Sequence, residues 1–308
     1  MTRWGIGIPS HLPGATRTEV LAYARRAEEL GFDSLWVGDR IVYANLDPLA
    51  TLAALAAITE RVELSPTTLI APARTPVEIA KTFATLDVLS GGRVRLVMGV
   101  GHRMDDYAAT GSDPRTRGAR LDEMVDIVRL AWSGEPVRYE GRHYALDVGP
   151  VGPRPVRPGG IPLWLAGDSP AARLRAVRMG DGHSSGSAGL DTTGRLRAEF
   201  DGLCRDLGRE PASLPLGATA FFALGADPKA ALDQGMADLR PYYGGNLHWD
   251  PEYDVIWGSP DEAADRVVRY GAATLETFVF VPSSFGVGQL DLLRDVVDRA
   301  EARIASGA

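Results

Sequence analysis

Eight short apolar runs, each but the sixth followed by a strong helical pattern, constrain this chain more than any other feature. The runs lie at residues 4–8, 34–37, 62–69, 94–100, 163–166, 182–185, 216–224 and 277–281. Several are apolar on both faces, as strands are when helices cover a parallel sheet on either side. Helix starts between them carry capping chemistry. Thr16 with Glu19, Thr75-Pro76-Val77-Glu78 and Ser259-Pro260-Asp261-Glu262 each pair a cap residue with a glutamate one turn on. The alternation argues a parallel sheet, and eight strand–helix units close into a (β/α)8 TIM barrel. An open doubly wound sheet is the rival, but IPSHLPGAT follows the first run where that fold carries a glycine-rich fingerprint.

With 308 residues the chain has the size of one such barrel, so residues 1–308 are expected to form a single domain. Two additions decorate it. Residues 137–146 alternate around a glycine as a hairpin after strand four, and residues 241–258 read as an aromatic-rich loop before strand eight. Residues 47–59 read as a helix apolar nearly all round, hence well buried. A net charge of -7 provides no footprint for nucleic acid or an anionic membrane. No apolar run approaches the ~20 residues that span a bilayer, and the N-terminus lacks a secretory pattern. Cys204 is the lone cysteine, which excludes an intrachain disulfide and suits a reducing compartment. The expectation is a cytoplasmic protein whose partner is a small molecule.

Barrel chemistry sits at the C-terminal strand ends. The fourth run opens onto Gly99, Gly101, His102, Arg103, Asp105 and Asp106. Other tips present His11, Asp39 with Arg40, Thr67 with Thr68, Gly167-Asp168-Ser169, and His183 with Ser184. Three of the five histidines therefore fall at tips. Their spacing does not make a metal site, because there is no His-x-His after the first run, no cysteine cluster and no paired carboxylate tip. The glycines remove side chains where a flat or phosphorylated ligand would approach the backbone. At Gly167–Pro170 the N–H groups of a new helix suit a phosphate, provided the Asp168 carboxylate turns away. Singly, each of these is also a tight turn or a solvated loop; together they point to a ligand.

Longer stretches carry a family resemblance. GFDSLWVGDR, DPLATLAALAAITERVEL, APARTPVEIAKTFATLDVLSGGRVRLVMGVG, YEGRHYAL and PLWLAGDSPAARLRAVRMGDG run collinearly to residue 182, with an echo at GSPDEAADRVVRYGAA. They resemble the luciferase-like monooxygenase superfamily, especially its members using the deazaflavin coenzyme F-420. The resemblance implies a barrel with the coenzyme at its C-terminal face. It puts Asp39 beside the ring, with Thr67, Thr68 and Leu69 on the third strand lying against it. Gly99, Gly101 and His102 then line the ring's neighbourhood, and Gly167, Asp168, Ser169, His183 and Ser184 fall on the phosphate-tail side. This sequence departs from the pattern at Arg40, where relatives usually carry histidine, and at His102, where a sugar-phosphate dehydrogenase carries glutamate. These departures weigh against sugar-phosphate oxidation.

The reaction so implied is hydride transfer between the deazaflavin and a small organic substrate. His102 is the acid/base candidate, since imidazole titrates near neutral pH, and Asp39 would orient the ring. His11, Arg40 and Trp249 are candidates for substrate contact, and Arg40, Arg74 and Arg103 for the coenzyme's anionic tail. The aromatic run around Trp249 suits either a cap over the substrate or a subunit contact in a homodimer. Two alternatives remain open: an FMN-dependent monooxygenase fed by a separate flavin reductase, and a non-catalytic flavin- or deazaflavin-binding barrel.

Overall fold

The computed structural model describes residues 2–12, 15–187, 193–243, 254–270 and 274–306. Eight parallel strand positions ring a common axis: β1 (Arg3–Gly7), β2 (Ser34–Val37), β3 (Glu63–Pro66) continued by β4 (Leu69–Ile70), β5 (Leu96–Gly99), β8 (Leu163–Ala166), β9 (Gly182–Ser187), β10 (Leu216–Ala223) and β12 (Thr277–Pro282). Hydrogen-bonded neighbours run β3-β2-β1-β12-β10-β9-β8-β5-β4. A parallel bridge from Leu64 to Val94 joins β3 to the approach of β5 and closes the ring. The third barrel strand is thus broken at Thr67 and Thr68, with β3 paired to β2 and β4 paired to β5.

The helices follow the capping signals. They are α1 (Arg17–Glu29), α2 (Pro48–Ala56), α3 (Pro76–Ser90), α4 (Met104–Thr110), α5 (Arg117–Ser133), α6 (Pro170–Met179), α7 (Thr193–Asp206), α8 (Pro228–Tyr243), α9 (Pro260–Arg269) and α10 (Gly288–Ser306). Reciprocal capping boxes close at Thr16 with Glu19 and at Ser259 with Glu262. The expected hairpin forms from β6 (Pro136–Glu140) and β7 (Ala145–Pro150), paired antiparallel after strand four.

Three expectations need correction. Helix α2 is not buried all round, because Ala50 and Ala54 face solvent; a small side chain fits either environment. The loop expected after His102 contains a helix, α4, which ends at Gly111 in the left-handed region. The expected aromatic loop 241–258 is partly regular. Tyr242 and Tyr243 close α8, and β11 (Val255–Trp257) pairs in parallel with the end of β10. Trp249 lies outside the described residues.

Strand alternation sends Ile6, Leu35, Leu64, Met98, Leu165 and Phe280 into the main core against the helices. Opposite residues fill the inside of the ring, where Trp36, Val97, Trp164 and Val279 form a separate buried cluster. The Trp164 indole lies directly over Gly182, where a Cβ would meet the ring at 2.3 Å. Below it the Arg95 guanidinium stacks 3.8 Å from the Trp164 ring centroid and pairs with Glu63 at 2.6 Å and Glu276 at 3.1 Å. The barrel interior is therefore plugged beneath its C-terminal face.

Truncating the plug tests this. Trp164→Ala leaves a cavity inside the ring and uncovers Arg95, so urea denaturation should show a loss of ~3–5 kcal/mol. A loss below ~1 kcal/mol would mean that the ring collapses around the gap without cost.

Candidate functional site

A cavity of about 630 Å³ opens at the C-terminal strand ends. Of the residues expected there, His11, Asp39, Arg40, Thr67, Thr68, Gly99, Gly101, His102, Gly167, Asp168 and Ser169 line it. Each is brought in by a strand that ends where its apolar run gives out.

At the end of β2, the Asp39 side chain is fully buried. Its Oδ2 accepts from the Ile70 backbone N–H at 2.8 Å and from Arg74 Nη1 at 2.7 Å, while Oδ1 accepts from Arg74 Nη2 at 3.0 Å. This fork-shaped pairing is strong and directional. It ties the tip of β2 to the resumption of the third strand just after its break. It also commits Arg74, which therefore does not face the cavity as an anion ligand.

The break itself packs on the tip of β5. A Cβ on Gly99 would lie 2.5 Å from Thr68 Cγ2, and one on Gly101 would lie 2.9 Å from Ile70 Cγ2, so neither position has room for a side chain. Gly101 also has φ +64°, a conformation other residues rarely take. Beyond it, Tyr107 Oη donates to the Val100 carbonyl and anchors the loop. Asp106 Oδ1 accepts from the Ile41 and Val42 N–H groups at 2.9 and 2.8 Å, which joins this loop to the one after β2. His102 stands exposed at the rim between them. Partial desolvation lowers its pKa, and the neighbouring Arg103 and Arg40 lower it further, so the imidazole is neutral at neutral pH.

On the opposite side, the Asp168 carboxylate is turned onto β9, accepting from Ser185 Oγ at 2.6 Å and from the Gly186 N–H at 3.2 Å. Ser169 caps α6, its Oγ accepting from the Ala172 N–H at 3.2 Å. Three expected residues are not on the cavity. His183 is fully buried in β9 with its ring 4.5 Å from that of Phe200 on α7, and Ser184 is buried beside it. Strand six runs on to Ser187, so Gly186 reaches the cavity instead. Leu69 is buried in the main core, because alternation along the short β4 turns it outward.

Of the wall between β1, β10 and β12, the sequence pointed to Tyr242 and Tyr243, in the aromatic run expected either to cap the substrate or to make a subunit contact. Thr219, Phe221, Val281, Tyr242 and Tyr243 line it, with Trp36, Asp106 and Arg117 elsewhere on the cavity. Thr219, Phe221 and Val281 went unnoticed because they lie on strands whose tips carry no charge. His11 completes this wall. Its Nε2 lies 3.1 Å from the Pro282 carbonyl, to which it donates, and burial lowers its pKa to about 4. Among the described residues, no group of three His, Cys, Asp or Glu side chains could hold a metal ion. Nor, among the described residues, is any helix long and apolar enough to cross a membrane.

Comparison with known proteins places this geometry in context. The family model described as luciferase-like monooxygenase matches residues 1–277. The F420-dependent glucose-6-phosphate dehydrogenase of Kineococcus radiotolerans is 31% identical over 294 residues, covering 84% of this chain and 85% of that protein. The F420-dependent hydroxymycolic acid dehydrogenase of Mycobacterium tuberculosis is 29% identical, over 90% of this chain and 78% of that one. In fold, the chain resembles an F420-dependent secondary alcohol dehydrogenase solved with an F420–acetone adduct. The TM-score is 0.84 at 23% identity, covering 97% of this chain and 99% of that one.

The buried histidines generate a stability prediction. His11 and His183 are both held at about 4 in the folded chain by burial, against 6.5 when exposed. Between these values the unfolded chain binds protons that the folded chain does not, so stability falls as pH drops from 6.5 towards 4. Each histidine adds up to ~1.4 kcal/mol per pH unit to that slope, and nothing above it. His183→Leu should flatten the decline in urea midpoint over this window relative to the unsubstituted chain. Parallel declines would show that His183 takes up a proton without unfolding.

Proposed function

The chain belongs to the luciferase-like monooxygenase family, and from that premise we propose that it is an F420-dependent oxidoreductase exchanging hydride with a small organic substrate. The observation that carries the reading is the side-chain-free floor at Gly99 and Gly101, against which Thr68 and Ile70 pack. Trp36, Ala166 and Val281 add apolar lining to the same cavity, which suits a flat ring. The volume of about 630 Å³ lies within the usual range for such sites. The start of α6 and the Arg117 guanidinium suit an anionic tail. Arg175 Nη2 donates to the Gly118 carbonyl at 3.2 Å, which holds the start of α5, and so Arg117, beside α6.

A bound deazaflavin supplies two-electron hydride chemistry. What the chain itself contributes is binding, orientation, exclusion of water and one proton site. His102, kept neutral at neutral pH, is able to accept the proton of a substrate hydroxyl or, once charged, return it. Asp39 serves differently from a proton carrier. Its carboxylate is engaged by Arg74 and the Ile70 N–H, so it acts by holding the second half of the third strand against that floor.

Titration with F420 and with FMN tests the coenzyme. F420 should bind at least ~10-fold more tightly, a difference of about 1.4 kcal/mol. Preference for FMN, with oxygen consumption when reduced, would move the chain to the two-component monooxygenases. F420 binding without hydride transfer to any substrate would make it a carrier. Replacing His102 with Ala should cut turnover by ~10²-fold or more if the imidazole moves a proton; an unchanged rate would remove it from that role.

A further inference from the structure

Arg40 and Arg103 come from two different strand tips, after β2 and after β5, yet their guanidinium groups converge on one acceptor. Arg40 Nη1 donates to the Tyr242 carbonyl at 2.8 Å, and Arg103 Nη2 donates to the same oxygen at 2.9 Å. That carbonyl lies in the last turn of α8, where carbonyls lack helical partners and the helix dipole is negative. Arg40 Nη2 donates further to the Val42 carbonyl at 3.1 Å and to Asp105 at 3.4 Å, leaving its side chain only 8% exposed. Both guanidinium groups also lie over tyrosine rings. Arg40 is 4.6 Å from the Tyr43 centroid and 5.3 Å from that of Tyr242, and Arg103 is 5.4 Å from Tyr242 and 5.7 Å from Tyr243. Such contacts stabilise a cation without offering it to a ligand.

We propose that Arg40 and Arg103 are positioning residues that clamp the end of α8 over the cavity, and that the aromatic wall held by this clamp selects an uncharged substrate with an apolar flank. This deepens the function proposed above and rests on it. The wall is continuous. The Tyr242 ring meets His11 edge-on at 5.5 Å and Tyr43 at 5.0 Å, and Tyr243 meets Phe221 at 5.9 Å. His11 presents a neutral ring there, since burial outweighs the hydrogen bond that its Nε2–H donates to Pro282. Burial raises the Tyr242 phenol to about 12 and the Tyr243 phenol higher still, so neither carries charge. Among the described residues, the charged groups lining the cavity are Arg40, Arg103, Arg117, Asp39, Asp106 and Asp168. Asp39 is already paired with Arg74, and Arg117 stands beside α6 for the coenzyme's tail, while Arg40 and Arg103 are both engaged by a backbone carbonyl and are not offered to a substrate anion. For an alcohol in this position, a bound oxidised deazaflavin would supply the acceptor for the hydride released as the carbinol C–H bond breaks. The O–H proton passes to His102 and a carbonyl double bond forms.

The test uses the protein saturated with F420, assayed with linear secondary alcohols of increasing length and with glucose 6-phosphate. KM should fall as the apolar chain lengthens, with kcat/KM for glucose 6-phosphate at least ~10²-fold below that of the best alcohol. Arg40→Met and Arg103→Met should each raise KM for the longer alcohols ~10-fold, with kcat and the F420 Kd moving less than ~3-fold. Arg40→Lys should restore part of the loss, because an ammonium still donates to the Tyr242 carbonyl. Tyr243→Ala, which leaves the arginines in place, should raise KM for long alcohols more than for short ones. Turnover of glucose 6-phosphate by the unsubstituted protein, lost in either arginine variant, would overturn the inference and make the arginines substrate ligands. Failure of the unsubstituted protein to bind F420 would overturn the proposed function itself, and this inference with it.

Discussion

The C-terminal face can be a binding site because the ring beneath it is full. Two indoles, Trp36 and Trp164, occupy the inside of the barrel, and Arg95 stacks under Trp164 while pairing with Glu63 and Glu276. Packed interiors have near-crystalline density, so a plug of this size decides which neighbouring positions can carry side chains at all. Gly182 is bare because Trp164 lies on it. The upper surface of the same plug, at Trp36, becomes part of the cavity. Structural core and candidate site therefore share an indole.

The break in the third strand is the second feature on which the site depends. Interrupting a parallel strand at Thr67 and Thr68 forfeits ladder hydrogen bonds, and burying a carboxylate beside it is costly unless that carboxylate is fully paired. Asp39 meets both demands. It accepts the Ile70 N–H that resumes the strand and takes both terminal nitrogens of Arg74. The resumed strand then packs its Thr68 and Ile70 methyl groups on Gly99 and Gly101. A residue marked by its charge and its place at a strand tip is here part of the scaffold that shapes the cavity.

Much of this was legible in the sequence because it rests on local rules. Strand runs, caps and glycine stops obey short-range sterics and hydrogen bonding, and they recover the eight-unit ring and most of the tips that line the cavity. His183 was misplaced because GHSSGS has no apolar alternation to set its parity, so the end of the strand could not be located. Helix α4 was taken for a loop because it is only seven residues long and has no side-chain cap to announce its start. The wall of Phe221, Thr219 and Val281 escaped notice because apolar strand ends look alike whether they face a cavity or a core.

By itself, the sequence determined the alternating architecture, the family and the strand tips worth inspecting, because each follows from patterns spanning a few residues to a few turns. Only the tertiary structure decided what the charges at those tips do. Asp39 meets Arg74 at a separation of 35 residues, and Arg40 and Arg103 meet the Tyr242 carbonyl at separations of 202 and 139. A charged side chain at a strand end has the same sequence signature whether it awaits a ligand or grips a distant backbone. The difference lies in which acceptor the closed barrel brings within hydrogen-bond reach, and no local pattern encodes that.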